Sequence, residues 1–315
     1  MAAAVTKRLR GAHRKPVTWI VPFLLICAPA WGADTETGSA NTDQLPEVTI
    51  NARREAVEKE VHTFVGKLTH SRRFSAESVP RWTQPLCFLA SGLPRSHAEF
   101  VVARLSKLAL SIGARLQKVG CSRSSANFLV VFTPKPLETL KYLNHHPALL
   151  FHGDARPQQI NSFLSPPESE VVRVWHNAEV RAPDGTPLDP GGAGRCAQMP
   201  GVSVNCAPKA SRVASSASQV FTQALVIVDS TRLQGIQLGQ ISDYIAMAGL
   251  VDLDLDTDFS DAPSILRLFS APPDKRPEGL TDWDRAFLSA LYQTDQGNPL
   301  QRGQIVTKMV GELAH

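Results

Sequence analysis

The 315-residue chain carries no G-x-S-x-G elbow, no phosphate-cradling P-loop, no G-x-G-x-x-G fingerprint and no C-x-x-C pair. These gaps remove the local signatures of the commonest exported serine hydrolases, of nucleotide binders and of thiol-redox enzymes. A triad gathered from distant residues would leave no such mark. No internal repeat is visible. Past the first 32 residues no apolar run approaches the roughly 20 residues that span a bilayer. Cysteine is scarce, at five residues, and lacks the close spacing of a zinc site. A surplus of one charge is also missing. The formal charge of +4 rests on Lys7, Arg8, Arg10, Arg14 and Lys15, after which 28 bases (the 33 of the whole chain less those five) face 29 acids. Such a balance offers no field to gather nucleic acid or anionic lipid. The whole chain is 43% hydrophobic and 20% charged, enough apolar material for one real core and too much for a disordered chain.

Residues 1–32 follow the order of a secretory signal: a basic start, an apolar stretch from Val17 to Ala28, then Ala30-Trp31-Gly32 as a cleavage site. The apolar stretch is only about 12 to 15 residues long and Pro22 and Pro29 interrupt it, so it reads as a cleaved leader rather than an anchor. Cys27 follows Ile26, where a lipoprotein signal wants a small residue. The expected address is therefore periplasmic or secreted, with no integral membrane segment after cleavage. An oxidising compartment favours disulfides. Cys87, Cys121, Cys196 and Cys206 allow three pairings; Cys87 with Cys121 and Cys196 with Cys206 are expected, because each pair brackets one local excursion.

Residues 33–45 are polar and small, a flexible lead-in. A single α+β domain is expected over 46–315, with a small sheet packed by helices and a helical C-terminal third. The periodicity predicts a first helix from Glu55 to Leu68, a strand over Leu86 to Ala90, and a helix opened by a Ser96–Glu99 capping box and lined by Val101, Leu105, Leu108 and Ile112. It also predicts a short strand at Leu116 to Val119, a doubly covered strand from Phe128 to Phe132, and a helix from Pro136 carrying Leu137, Leu140 and Leu143. Val171 to Val180 alternates as a half-buried strand with Val172, Val174 and His176 on one face. The segment 183–218 is rich in Gly, Pro and Ser and reads as a long surface loop. Val220 to Val228 is the strongest strand signal and ends at Asp229. Thereafter Leu238 to Ala248, Ile265 to Phe269, a Thr281-capped helix and Ile305 to Leu313 are helical.

Arg81-Trp82, Cys87, Gly92-Leu93-Pro94, Cys121, Leu238-Gly239, Asp243-Tyr244-Ile245-Ala246-Met247, Leu280-Thr281 and Leu291-Tyr292 resemble a family of uncharacterised exported bacterial proteins. The resemblance implies a periplasmic or secreted α+β protein and no established activity. The Leu238 to Leu250 segment is also similar to the zinc-binding helix of zincin-type metallopeptidases. Setting Gly249 on the glycine of H-E-x-x-H-x-x-G places Ser242, Asp243 and Ala246 where two ligands and the general base belong. Neither histidine is present, so this likeness implies a zincin-like shape without zinc chemistry. Leu45 to Arg53 resembles the segment near the start of TonB-dependent receptors and reads as an extended peptide or a first strand.

The residues that could carry chemistry are few. Asp252, Asp254, Asp256 and Asp258 would share one face of an extended segment, opposite Val251, Leu253 and Leu255, as a solvated acidic edge or a weak calcium site. EF-hand spacing fails there, since the turn glycine falls on Thr257 or Phe259. His145, His146 and His152 read as a helix-end decoration rather than a metal site. His176, Asp229, Asp243 and Tyr244 are the first candidates for a hydrolase site. Trp82, Trp175 and Trp283 read as core or rim aromatics. The expectation is an exported, disulfide-containing binding protein of the cell envelope, without a cofactor, whose partner is an envelope protein or a small ligand. A periplasmic hydrolase and a calcium-stabilised structural protein are the alternatives.

Overall fold

The computed structural model describes residues 45–69, 79–118, 120–146, 157–165, 170–181, 187–188, 218–254, 257–298 and 300–314. Helix α1 (Leu45–Leu68) leads into two short strands, β1 (Arg81–Trp82) and β2 (Phe88–Ser91). Helix α2 (Arg95–Ser111), strand β3 (Phe128–Thr133) and helices α3 (Pro136–His145) and α4 (Pro157–Leu164) come next. Strands β4 (Val172–Arg181), β5 (Pro187–Leu188) and β6 (Ser218–Asp229) complete the sheet. Helices α5 (Leu238–Leu250), α6 (Asp282–Gln293) and α7 (Gln301–Leu313) close the chain. The fold is α+β, with a helical C-terminal third.

Strand β6 is central because it is apolar on both faces, with Ala224, Leu225, Val226, Ile227 and Val228 all buried. The sheet runs β2-β3-β6-β4-β5, and β1 pairs with the first half of β6 through Arg81↔Val220 and Trp82↔Phe221. Strands β1, β2, β3 and β6 are parallel; β4 runs antiparallel to β6, with a register shift at Asn177/Ala178. On one face Phe128, Val130, Phe132, Val172, Val174, Val226 and Val228 meet the helices in the main core. On the other, Trp175, Leu225 and Ile227 pack with Leu140, Leu143 and Phe163 from α3 and α4. Continuous apolar runs in β3 and β6 are thus the mark of a sheet covered twice.

Helix α5 lies in the main core. Every residue from Gln240 to Leu250 is buried, as an all-round apolar helix must be in water. Phe128 approaches it so closely that a Cβ on Gly249 would stand 2.2 Å from the ring. Helix α6 starts with a reciprocal cap between Thr281 and Asp284, as its sequence predicts. Cys87 and Cys121 stand in disulfide position, Cα atoms 5.4 Å apart and 34 residues apart in sequence. Closing a loop of that size restricts the unfolded chain by about 4 kcal/mol in the entropic account. Among the described residues no helix is long and apolar enough to cross a membrane.

Several local expectations are corrected. Leu45 to Arg53 is helical, not extended: α1 runs back through it, with Pro46 in the first turn where its missing N–H costs nothing. Ser96 is not a cap, because the helix already begins at Arg95 behind Pro94, and Glu99 pairs with Arg95 at 2.7 Å instead. Leu116 makes only an isolated bridge to Leu86. Within the expected loop 183–218, Pro187–Leu188 pairs with Val180 and Arg181. The leader, residues 33–44, Cys196, Cys206, His152, Asp256 and the rest of that loop up to residue 217 lie outside the described residues, and Ser218 already belongs to β6.

Candidate functional site

Asp243 sits on α5 with its carboxylate almost fully enclosed, and it is occupied. Arg104 of α2 donates Nε to Oδ1 at 2.5 Å and an Nη to Oδ2 at 2.8 Å, a two-pronged pair. The Leu280 amide donates to Oδ2 at 2.9 Å. Gly279 makes this approach feasible, since a Cβ there would stand 2.6 Å from Oδ2. Gln240 ties the same strap to α5 through the Pro277 carbonyl at 2.7 Å. The bond to Asp243 holds the Arg104 guanidinium above even its usual high pKa. The neighbouring positions are no freer. Ser242 turns its hydroxyl back to the Leu238 carbonyl at 2.6 Å, and Ala246 is buried in the core. Asp243 therefore acts as a clamp between α2, α5 and the 277–280 strap.

The last carbonyls of α5 need partners, because a helix end has none of its own. His176 from β4 donates Nε2–H to the Gly249 carbonyl at 3.0 Å, and Trp82 from β1 donates its indole N–H to the same oxygen at 3.1 Å. Tyr292 from α6 donates to the Leu250 carbonyl at 3.2 Å. The imidazole stacks on Phe221, ring centres 4.3 Å apart. His176 is thus a buried structural histidine joining sheet to helix. Tyr244 is buried against Phe269, centroids 5.0 Å apart, and burial pushes its phenol above the ordinary tyrosine range. Of the four hydrolase candidates, these three are buried, Asp243 and His176 hydrogen-bonded into the fold and Tyr244 packed on Phe269.

Asp229 stands apart from them, at the carboxyl end of β6. A cleft of about 380 Å³ opens there, between the ends of the parallel strands β3 and β6 and the start of β4. Ligands of open α/β sheets collect at such strand ends. Pro134, Pro136, Leu140, Val171 and Ile227 give the cleft apolar walls, and Lys135, Glu138, Glu170, Arg173 and Asp229 supply charge. Lys135 pairs with Glu138 at 3.1 Å. Arg173 pairs with Glu170 and also donates to the carbonyls of Ser162 at 2.6 Å and Phe163 at 2.8 Å. Asp229 Oδ1 accepts from the Thr231 amide at 3.0 Å and hydroxyl at 2.6 Å, capping one turn of 3-10 helix.

The acidic run does not form the expected edge. Val251, Asp252 and Leu253 are all buried, Asp254 is half-buried with its carbonyl accepting from the Thr257 amide, and Asp258 is exposed. Asp261, not one of the four, pairs with Lys67 of α1 at 2.5 Å. Among the described residues no three His, Cys, Asp or Glu side chains come together to hold a metal. His145 and His146 bond the Lys141 and Tyr142 carbonyls at 2.7 and 2.9 Å, the helix-end role expected of them. Trp82 and Trp175 are core residues, and Trp283 meets Phe64 edge-on at the core's margin.

Sequence reasoning named Asp229 as a hydrolase candidate and did not foresee the charged groups that line the cleft beside it. Lys135/Glu138 and Glu170/Arg173 are both charge pairs at i,i+3, a spacing visible beforehand, but nothing local says that they meet at one strand end. Arg104 was equally hidden, as one basic residue on an amphipathic helix. Comparison with protein-family models, with curated proteins and with solved structures finds no match for the chain.

Proposed function

We propose that this chain is an exported, disulfide-containing protein of the cell envelope that works by binding, and that the cleft at the ends of β3 and β6 is its binding site. The observation that carries the reading is that cleft: a concavity of about 380 Å³ with apolar walls and a few charged groups, within the size range of small-ligand pockets. The other polar candidates support it by their engagement elsewhere, His176 on Gly249 and Asp243 on Arg104. Export is supported by the leader-like residues 1–32 and by Cys87 and Cys121 standing in disulfide position. Gly249, the residue on which the likeness of α5 to a zincin helix is registered, packs on Phe128.

The test is a two-dimensional amide NMR screen of the oxidised protein against a small-molecule fragment library. Binders are expected to move the resonances of residues 135–140, 170–173 and 227–231. Fragments that perturb only other regions, or a screen mixture that the protein converts to product, would contradict the reading.

A further inference from the structure

We infer that the cleft selects a small organic cation, a primary ammonium on a compact apolar body, with Asp229 as its anchor. This rests on the reading of the cleft as a binding site and adds the charge and anchor of its ligand. The lining holds three carboxylates and two cations. Both cations are already committed: Lys135 to Glu138, and Arg173 to Glu170 and two backbone carbonyls. Among the described residues no cation pairs with the third carboxylate, that of Asp229. Both of its bonds from Thr231 fall on Oδ1, and no hydrogen bond from the described residues reaches Oδ2. Asp229 therefore turns a carboxylate oxygen that accepts no hydrogen bond from the described residues toward a cleft with apolar walls.

The start of α3 also faces the cleft, and a helix N-terminus favours negative charge. Here that preference is answered within the helix, because Pro136 supplies no N–H and Glu138 sits in the first turn. An incoming anion would meet Asp229, Glu138 and Glu170, with both lining cations already paired to carboxylates. An incoming ammonium gains a charge-assisted bond to Asp229 and breaks no existing pair. The apolar walls from Pro134, Pro136, Leu140, Val171 and Ile227 then take its body.

The test titrates the full oxidised chain with three probes of one shape: cyclohexylmethylammonium, neutral cyclohexylmethanol and cyclohexanecarboxylate. Amide NMR reports the site and calorimetry the affinity, for the natural protein and for Asp229→Asn. Asparagine keeps an acceptor for the Thr231 amide, so an unchanged melting temperature confirms an intact fold; Asp229→Ser, with a shorter acceptor, is the second variant should asparagine unfold the protein. The ammonium is expected to bind at the cleft at least tenfold tighter than the alcohol, to lose that margin in the variant, and to weaken as salt rises. Equal binding of ammonium and alcohol at the cleft, tighter binding of the carboxylate, or an ammonium affinity unmoved by the variant would overturn the cation assignment while leaving the cleft as a site. Failure of all three probes to move any cleft resonance would overturn both.

Discussion

Asp243 and Asp284 are both buried carboxylates, and their surroundings give them different energetics. Asp243 is balanced by Arg104, whose side chain is 40% exposed, so the pair is only half withdrawn from water. Breaking a fully buried pair costs about 3–5 kcal/mol; with solvent screening on the arginine side, Arg104→Met should cost about 2 kcal/mol. A double-mutant cycle with Asp243→Asn, read by urea unfolding, should show clear coupling, and purely additive losses would contradict the clamp. Among the described residues no cation pairs with Asp284. Its carboxylate accepts from Ser264 Oγ at 2.5 Å, from the Ile265 and Thr281 amides at 2.8 and 2.9 Å, and from Thr281 Oγ at 3.0 Å. Burial outweighs these bonds and pushes its carboxyl above the usual aspartate range. A folded-state pKa above the unfolded one means a contribution to stability that is complete below about pH 4 and lost as pH rises through the raised value. Asp284→Asn removes that dependence. The stability of the natural protein relative to the variant should fall as pH rises above about 4, measured by urea midpoints, and a difference that stays level or grows would contradict it.

At the scale of elements, α5 is held by contacts that forbid substitution. Alanine at Gly249 would drive its Cβ into the Phe128 ring. Overpacking of this kind costs about 1–3 kcal/mol, and Phe128→Leu in the same chain should recover part of it; strictly additive losses would mean the two do not touch. Much of this element was legible beforehand, since α5, β3 and β6 announce themselves by apolar runs too long to be half-solvated. Its fastenings were not. Arg81-Trp82, Asp243, Leu280-Thr281 and Leu291-Tyr292 are dispersed in sequence, yet Trp82 and Tyr292 bond the end of α5, Arg81 bonds the Leu291 carbonyl at 2.8 Å, and Leu280 bonds Asp243. Trp82, Asp243, Leu280 and Tyr292 are thus fasteners of the core helix. Local propensity misled where a neighbour decided the outcome. Val48, Thr49 and Ile50 suit a strand, but α1 extends through them once its C-terminal half is fixed, because adding a residue to an existing helix is far easier than starting one. The acidic run was misread for a different reason: alternation implies a solvated acidic face only if one side of the segment meets water, and Val251, Asp252 and Leu253 are all buried.

For the whole molecule, composition and periodicity were sufficient for the α+β class and for a sheet centred on Val220 to Val228. The cleft was beyond them, because it exists only where β3 and β6, almost 100 residues apart in sequence, end side by side with Thr133 opposite Asp229. The cysteines belong to this scale as well. Replacing Cys87 and Cys121 together by serine should lower stability by about 3–4 kcal/mol, seen as a lower urea midpoint, and a midpoint equal to that of the oxidised natural protein would contradict a stabilising crosslink. The proposed cellular role depends on export and oxidation before any ligand is met. Intact-mass spectrometry of protein taken from its native cells, alkylated without reduction, reads both at once. The account predicts a mass lacking the first 32 residues, with Cys87 and Cys121 unalkylated. A chain that still begins at Met1 and carries the label on both cysteines would contradict it.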